Sequence, residues 1–216
     1  MSTPRLHVPA VPARPGERPD FSYVPLSPAG AAPRPPVDVA VHETAPLAED
    51  LIRVLDDEGH AIGPWNPGLA PEALRLGLRE MLLTRVFDDR MQRTQRQGRI
   101  SFYVRSYGEE AVSVAAAQAL RPRDMLFPSY RNQGLFLSRG VPLVDLMCQL
   151  LSNTRDMCKG RQLPVMYHSA PLRVFSISGN LATQYPQAVG WAMAAAIKGE
   201  EDIAAAWIGE GSTAAA

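Results

Sequence analysis

The chain has 216 residues, 46% of them hydrophobic, and its 22 basic side chains balance 22 acidic ones. This is an ordinary globular composition, and the balanced charge gives no electrostatic support for nucleic-acid binding. No apolar run approaches the roughly 20 residues that a membrane-spanning helix needs, so we expect no membrane role. Cys148 and Cys158 fit neither a disulfide framework nor a zinc pattern, which indicates reduced thiols in a cytosol-like compartment.

Residues 1–45 are rich in proline and alanine and show no sustained hydrophobic period. Arginines near the start raise the alternative of a transit peptide, but the many prolines prevent an amphipathic helix. Such a segment cannot bury enough apolar surface to offset its own ordering entropy. We therefore predict a proline-rich extended arm over residues 1–45 and one α/β domain over residues 46–216. Leu47–Leu55 shows helical spacing just after the arm.

A long helix is predicted to begin at Pro71, because proline suits the first helical position. Its apolar residues recur at helical spacing and form a stripe. The stripe consists of Leu74, Leu78, Met81, Leu82 and Phe87. The polar stretch 88–97 is predicted to be solvated or to face another subunit, and Gly98 is a fitting stop.

Further elements follow in a regular order. They are a small-residue helix opened by a capping box at Ser106–Glu109, a helix after Pro142, a loop at 159–170, a helix at Thr183–Lys198, and a buried strand at 203–208. This strand leads directly into Gly209-Glu210-Gly211-Ser212. Helix, buried strand and glycine turn indicate an α/β domain, in which ligands bind at the carboxyl ends of strands.

The turn 209–212 suits a phosphate group, since glycines at a strand end let the backbone approach a ligand and expose amide donors. Glu210 would repel a bare diphosphate, but a magnesium ion bridging the carboxylate and the phosphate oxygens removes that conflict. An ordinary strand-to-helix turn explains the same residues. The turn alone does not decide between these interpretations.

Three other groups of residues also have two interpretations each. Ser178, Thr183 and Gln184 are expected either to cap a helix or to coordinate a monovalent cation. Tyr130 and Arg131 are expected either to grip a phosphate, through a guanidinium fork and a hydroxyl, or to lie on an exposed turn. Phe102 belongs to a stretch of aromatic residues that is either core or the wall of a substrate pocket.

Together these segments resemble the alpha subunits of branched-chain 2-oxo acid dehydrogenases of the bacterial type. GRISFYVRSYGEEA, the PSYR turn, KGRQLPVMY, SGNLATQYPQAVGWAMA and the strand with GEGS occur in the order found in that family. The resemblance runs from about residue 20 to the last residue. It implies part of a thiamine-diphosphate-binding fold, a parallel sheet flanked by helices, with a proline-rich N-terminal extension.

The resemblance also implies roles for individual residues. Tyr130 and Arg131 match the family's contacts to the diphosphate of thiamine diphosphate. Glu210 matches the magnesium ligand of a glycine–acidic–glycine motif, with Gly209, Gly211 and Ser212 beside it. The family's continuation of this motif, a paired asparagine, and a histidine on an active-site loop would both lie beyond Ala216.

A second set of implied roles concerns a monovalent cation, usually potassium, and the organic parts of the ligands. The residues that match the cation site are Ser178, Asn180, Thr183 and Gln184. Leu181 matches an apolar residue near the cofactor ring, and Gly179 falls where some relatives have serine. Phe102 matches a residue that lines the substrate pocket.

The function that this resemblance implies is oxidative decarboxylation of branched-chain 2-oxo acids, with transfer of the acyl group to a lipoyl arm. Its implied partners are a beta subunit, in a heterotetramer of two alpha and two beta chains, and a lipoyl acyltransferase core. The implied location is the bacterial cytoplasm, or the mitochondrial matrix in a eukaryote. The alternatives are a pyruvate or acetoin dehydrogenase and a non-catalytic subunit that only docks onto a beta chain. A dinucleotide-binding unit lacks the expected GxGxxG turn.

Overall fold

The computed structural model describes residue 18 and residues 27–48 and 51–215. The chain divides after Gly68 into two compact units. Because most of residues 1–26 lie outside the described part, the predicted arm over residues 1–45 and the domain over 46–216 remain predictions.

The first unit contains a 3-10 helix at Val41–Ala48 and a tight turn between Leu55 and Ala61, which pair as an antiparallel bridge. The Asp56 carboxylate closes this turn by accepting hydrogen bonds from the amides of Glu58 at 3.1 Å and His60 at 2.7 Å. The helical spacing noted over Leu47–Leu55 is therefore misleading for residues 51–55. A side-chain–backbone turn competes with helix there.

The second unit begins with α1, Pro71–Arg96, and the predicted start at Pro71 is confirmed. The predicted apolar stripe is only partly the buried face: Phe87 is buried, but Leu74, Leu78 and Leu82 are each more than half exposed. The buried residues are Gly77, Thr84, Phe87, Asp88 and Met91. Small residues such as Gly77, which lies against the Gln118 side chain, let α1 pack against its neighbours.

Three shorter helices complete this side of the molecule: α2 at Glu110–Ala119, α3 at Gln133–Ser138 and α4 at Leu143–Leu150. The helix after Pro142 is confirmed, and residues 159–170 form neither helix nor strand, as predicted. The capping box is wrong. No side chain caps α2, and the Ser106 hydroxyl donates to the Asp88 carboxylate instead, at 2.8 Å.

The sheet consists of two parallel strands, β1 at Met125–Phe127 and β2 at Ala204–Ala206. On the other side of β1, Leu126 forms a parallel bridge with Val174. The strand β2 is shorter than the predicted 203–208 and only half-buried. The periodicity of the sequence did not reveal β1, since three residues are too few to show alternation.

Helices cover both faces of this sheet. Leu126 is fully buried in a large cluster that includes residues of α1, α3 and α4. Met125 and Phe127 point the other way, against Ala188 of the helix α5, Gln184–Lys198. α5 ends at Gly199, which adopts a left-handed φ of 71°, and a short helix α6 follows β2 at Glu210–Thr213. The predicted α/β class, a parallel sheet flanked by helices, is confirmed.

Both cysteines are buried and free. In the described ranges, no helix combines the length and the apolar character required to cross a bilayer.

Candidate functional site

Three segments that carry the predicted site residues leave the sheet at the same edge. β1 runs into Ser129–Arg131, the bridge residue Val174 runs into the segment 178–184, and β2 runs into the turn 209–212. Because these neighbours are parallel, their carboxyl ends meet at one edge, where open α/β sheets bind ligands. The parallel register therefore brings together residues that are far apart in the sequence.

A cavity of about 340 Å³ lies at this edge. Its lining contains most of the predicted cofactor and cation residues. These are Tyr130, Arg131, Ser178, Asn180, Leu181, Gln184, Gly209, Gly211 and Ser212. The lining also contains Glu109, Asn132 and Trp207, for which the sequence predicted no site role. Each lies in or next to a predicted element: Glu109 in the predicted capping box, Asn132 just after the Tyr130–Arg131 turn, and Trp207 inside the predicted strand 203–208.

Four predicted residues are absent from this lining: Phe102, Gly179, Thr183 and Glu210. The exposed Glu210 is the first residue of α6 and stands between two glycines that do line the cavity. Phe102 is 42% exposed, while its neighbour Tyr103 is buried in the core. The cofactor, cation and substrate roles of all these residues remain predictions.

The Arg131 side chain lines the cavity and makes three contacts with neighbouring residues. Its Nη1 donates to the carbonyl oxygen of Arg105 at 2.9 Å, and its Nε lies 4.0 Å from a Glu109 carboxylate oxygen. The guanidinium also lies 5.6 Å from the centre of the Tyr130 ring. Since its side chain is 44% exposed, part of its hydrogen-bonding capacity faces solvent and is accessible to an anion.

The turn that carries Arg131 is fixed by Asn132, which is 2% exposed. The Asn132 side-chain oxygen accepts hydrogen bonds from the amide and the hydroxyl of Ser129, both at 2.8 Å. Its amide nitrogen donates to the Ser113 hydroxyl of α2 at 3.1 Å. Asn132 thereby ties the end of β1 to a neighbouring helix.

Gly209 and Gly211 leave room for a ligand to approach the backbone. A Cβ atom built on either glycine meets nothing within 4 Å. Gly209 has a φ of −84°, so the value of glycine there is the missing side chain rather than an unusual backbone conformation. This open cradle beside a guanidinium, with apolar Leu181 and Ile208 in the same lining, fits a ligand that has a phosphate end and an organic body.

The segment 178–184 has a defined local structure without capping. The Thr183 hydroxyl donates to the carbonyl oxygen of Asn180 at 3.1 Å, and the Ser178 hydroxyl accepts from the Asn180 amide at 3.1 Å. Gln184 donates to the carbonyl oxygen of Trp207 at 2.6 Å and so ties α5 to the end of β2. No side chain caps α5, so the capping interpretation of these residues is wrong.

The sequence misassigned a buried carboxylate that contacts Ser106, the residue next to the one whose carbonyl oxygen binds Arg131. Asp88 is fully buried, although the stretch 88–97 was predicted to be solvated or to face another subunit. It accepts hydrogen bonds from the Tyr103 hydroxyl at 2.6 Å and from the amide and hydroxyl of Ser106 at 2.7 and 2.8 Å. Burial raises the pKa of Asp88, and these hydrogen bonds oppose that shift without cancelling it. Only tertiary packing turns this position of α1 inward.

Acidic and metal-binding side chains are sparse around the cavity. Within the described residues, no group of three or more His, Cys, Asp or Glu side chains is arranged to hold a metal ion. A divalent ion at Glu210 would therefore need further ligands, and phosphate oxygens of a bound molecule are suitable ones.

Comparison with known proteins identifies the family. The family model described as "Dehydrogenase E1 component" matches residues 78–216, and the one described as "2-oxoisovalerate dehydrogenase E1 alpha subunit N terminal" matches residues 2–42. The chain is 60% identical to the 2-oxoisovalerate dehydrogenase subunit alpha of Pseudomonas aeruginosa over 97% of its own length and 51% of that relative's. It is 40% identical to the mitochondrial 2-oxoisovalerate dehydrogenase subunit alpha of Bos taurus, over 75% of this chain and 36% of the relative.

The chain thus spans about half the length of the bacterial relative and about a third of the bovine one. The first family match covers β1, β2 and every segment that lines the cavity. The α/β unit is part of a thiamine-diphosphate-binding fold, and the chain belongs to the dehydrogenase E1 component family.

Proposed function

We propose that this chain forms the cofactor-binding part of an alpha subunit that catalyses oxidative decarboxylation of branched-chain 2-oxo acids, such as 3-methyl-2-oxobutanoate. The observation that carries the proposal is the shared cavity of Arg131 and the glycine turn 209–212. The names of the bacterial and bovine relatives support the branched-chain substrate over pyruvate. Because the chain spans about half of the bacterial relative, the activity is proposed for the complete enzyme.

The proposed cofactor is thiamine diphosphate, which family membership implies. When bound, it supplies the electron sink for loss of carbon dioxide. Arg131 would grip the diphosphate through its planar fork, with the Tyr130 hydroxyl beside it. Gly209 and Gly211 would let the backbone approach the phosphate oxygens, and Leu181 would pack near the cofactor ring. These residues bind and orient, so their contribution is charge neutralisation and positioning.

Magnesium and potassium belong to the proposal as well. Glu210, which is exposed beside the cradle, would share a magnesium ion with the diphosphate, since magnesium typically takes one or two carboxylates plus phosphate oxygens. The potassium ligands would be oxygens of Ser178, Asn180, Thr183 and Gln184. Ser178, Asn180 and Gln184 line the cavity, so a cation there would also brace its wall.

The proposed partners are a beta subunit, in a heterotetramer of two alpha and two beta chains, and a lipoyl acyltransferase core that receives the acyl group. Phe102, which is partly exposed beside the core residue Tyr103, is proposed to contact the branched acyl chain. Because a bacterial relative is 60% identical to this chain, the proposed location is the bacterial cytoplasm.

The experiment that tests this proposal is release of carbon dioxide by the complete alpha subunit reconstituted with its beta subunit. Thiamine diphosphate, magnesium and potassium are supplied, and 3-methyl-2-oxobutanoate is compared with pyruvate. We expect a higher kcat/KM for the branched substrate. A preference for pyruvate would refute the branched-chain assignment, and an alpha–beta complex without activity on either substrate would favour a docking role.

A further inference from the structure

Asp88 is an unusual residue to find in the core of this protein. Its carboxylate is fully buried, and no salt bridge within the described part of the chain pairs it with a cation. Burying a charge without a counter-ion costs free energy, which here is offset by the hydrogen bonds from Tyr103 and Ser106. If this position served only for packing, an apolar residue would avoid that cost. The buried carboxylate therefore indicates that Asp88 holds its hydrogen-bond donors, Tyr103 and Ser106, in place.

Those donors lie at the two ends of a short bend, residues 103–106. Between them, the bend presents two carbonyl oxygens to the turn that carries Arg131. The Arg105 oxygen accepts a hydrogen bond from Arg131 Nη1 at 2.9 Å. The Val104 oxygen accepts one from the side-chain amide of Gln133 at 2.7 Å. Gln133 is itself 1% exposed, and this part-buried contact fixes the bend against α3.

We propose that Asp88 is a positioning residue that acts through the bend 103–106 to set the orientation of Arg131 at the cavity. The carboxylate binds both ends of the bend, and the carbonyl oxygens between them accept hydrogen bonds from Arg131 and Gln133. Arg131 is thereby held at the cavity that the glycine turn also lines. Asp88 does not line the cavity, so its proposed effect passes through Arg131. The identity of the anion that Arg131 receives rests on the proposed function, whereas the positioning of Arg131 does not.

The first test measures positioning directly, by amide hydrogen exchange in the complete alpha–beta complex without cofactor. In Asp88→Asn an amide NH₂ replaces one of the two acceptor oxygens, so the side chain can no longer accept from Tyr103 and Ser106 through separate oxygens. We expect at least tenfold faster exchange in residues 103–106 and in the Arg131 turn. The matched control is Thr84→Val, a buried polar position on the same face of α1 whose hydroxyl donates only to Glu80 of its own helix. It should leave exchange in both segments unchanged.

The second test is a double-mutant cycle on the affinity for thiamine diphosphate at saturating magnesium. We expect about tenfold weaker binding for Asp88→Asn, and about 10- to 100-fold for Arg131→Ala, the loss typical of a hydrogen bond to a charged group. The double variant should bind like Arg131→Ala alone, since Asp88 acts through Arg131. Additive losses, or unchanged binding and exchange in Asp88→Asn, would overturn the inference.

Two further comparisons cover the cases in which a variant does not fold or the wild-type complex does not bind the cofactor. If Asp88→Asn does not fold, Ser106→Ala removes one of the three hydrogen bonds and should show the same pattern with a smaller amplitude. If the wild-type complex fails to bind thiamine diphosphate, the proposed function fails. The exchange measurement still decides whether Asp88 holds the bend and Arg131.

Discussion

Phe127 lies directly opposite Ala206 in the parallel pairing of β1 with β2. This register decides where the site forms, because the segments that follow the two residues leave the sheet at the same edge. After Phe127 it enters the turn of Arg131, and after Ala206 it enters the turn of Gly209 and Gly211. A guanidinium and an open glycine backbone therefore meet at one cavity, although Arg131 and Gly209 are far apart in the sequence.

Replacing Arg131 should weaken cofactor binding more than it weakens folding. Arg131→Lys keeps the charge but loses the planar fork, so we expect a smaller loss of affinity for thiamine diphosphate than in Arg131→Ala. Binding can be followed by the fluorescence of Trp207, which lines the cavity. Arg155→Ala, an exposed arginine outside the lining, should bind as the wild type does. Equal affinities in all four proteins would rule out Arg131 as a phosphate contact.

Asn132→Ala should loosen the Arg131 turn, since it removes the partner of Ser129 and Ser113. Leaving such buried groups unpaired costs about 1–3 kcal/mol of unfolding free energy, which urea denaturation of the complete protein would measure. Asn153→Ala, whose side-chain oxygen accepts from the exposed Arg155 amide, is the matched control and should cost less. A loss in Asn132→Ala no larger than that of the control would contradict this role.

Asp124 should make the protein sensitive to acid. Burial alone would raise the pKa of this carboxyl, but hydrogen bonds from the Arg121 side chain and from the amides of Ile203 and Arg121 outweigh it and lower the pKa to about 2. A lowered pKa contributes stability that is present above the ordinary value of 3.8 and is lost as the pH falls towards about 2. Urea midpoints of the wild type should fall over that range.

The corresponding variant, Asp124→Asn, should be less stable near neutral pH and should show a shallower fall in acid. Asp57→Asn is the control, because the Asp57 side chain is 87% exposed. Parallel pH profiles for the wild type and Asp124→Asn would show that Asp124 is not the responsible group.

Gly63→Ala should destabilise the first unit more than Gly59→Ala. Both glycines have left-handed φ values, 81° and 85°, in which an L side chain is strained by about 1–2 kcal/mol. A Cβ on Gly63 would also collide with the Gly30 backbone, while one on Gly59 meets nothing within 4 Å. Amide exchange in residues 51–68 would measure the difference. Equal protection in the two variants would mean that the close approach of Gly30 and Gly63 does not affect the stability of the first unit.

The 216-residue chain expressed alone should self-associate. Leu74, Leu78, Leu82 and Val86 form an exposed apolar row on α1, each more than half exposed, and such rows promote association. Light scattering after gel filtration should show large species for the chain alone and a defined complex when a beta subunit is co-expressed with the complete alpha subunit. A monodisperse monomer of the isolated chain would contradict this prediction.

Local signals in the sequence predicted several elements correctly. Pro71 marked the start of α1 and Pro142 the start of α4, and the predicted end of α5 at Lys198 is confirmed, with the left-handed Gly199 directly after it. Each of these depends on backbone geometry within one turn, which the residue itself imposes. The ordered motifs also identified the family, because their residue types and spacing are specific.

Tertiary structure alone decided which residues are buried and which lie together. The sequence predicted one apolar stripe on α1, but its leucines are exposed, and the buried face joins Phe87 to Gly77, Thr84 and Asp88. The pairing of Arg131 with the glycine turn, and of Asp88 with Ser106, likewise depends on contacts between distant segments. Periodicity and turn chemistry report the local backbone, whereas burial follows from which surfaces meet, and no single segment contains that information.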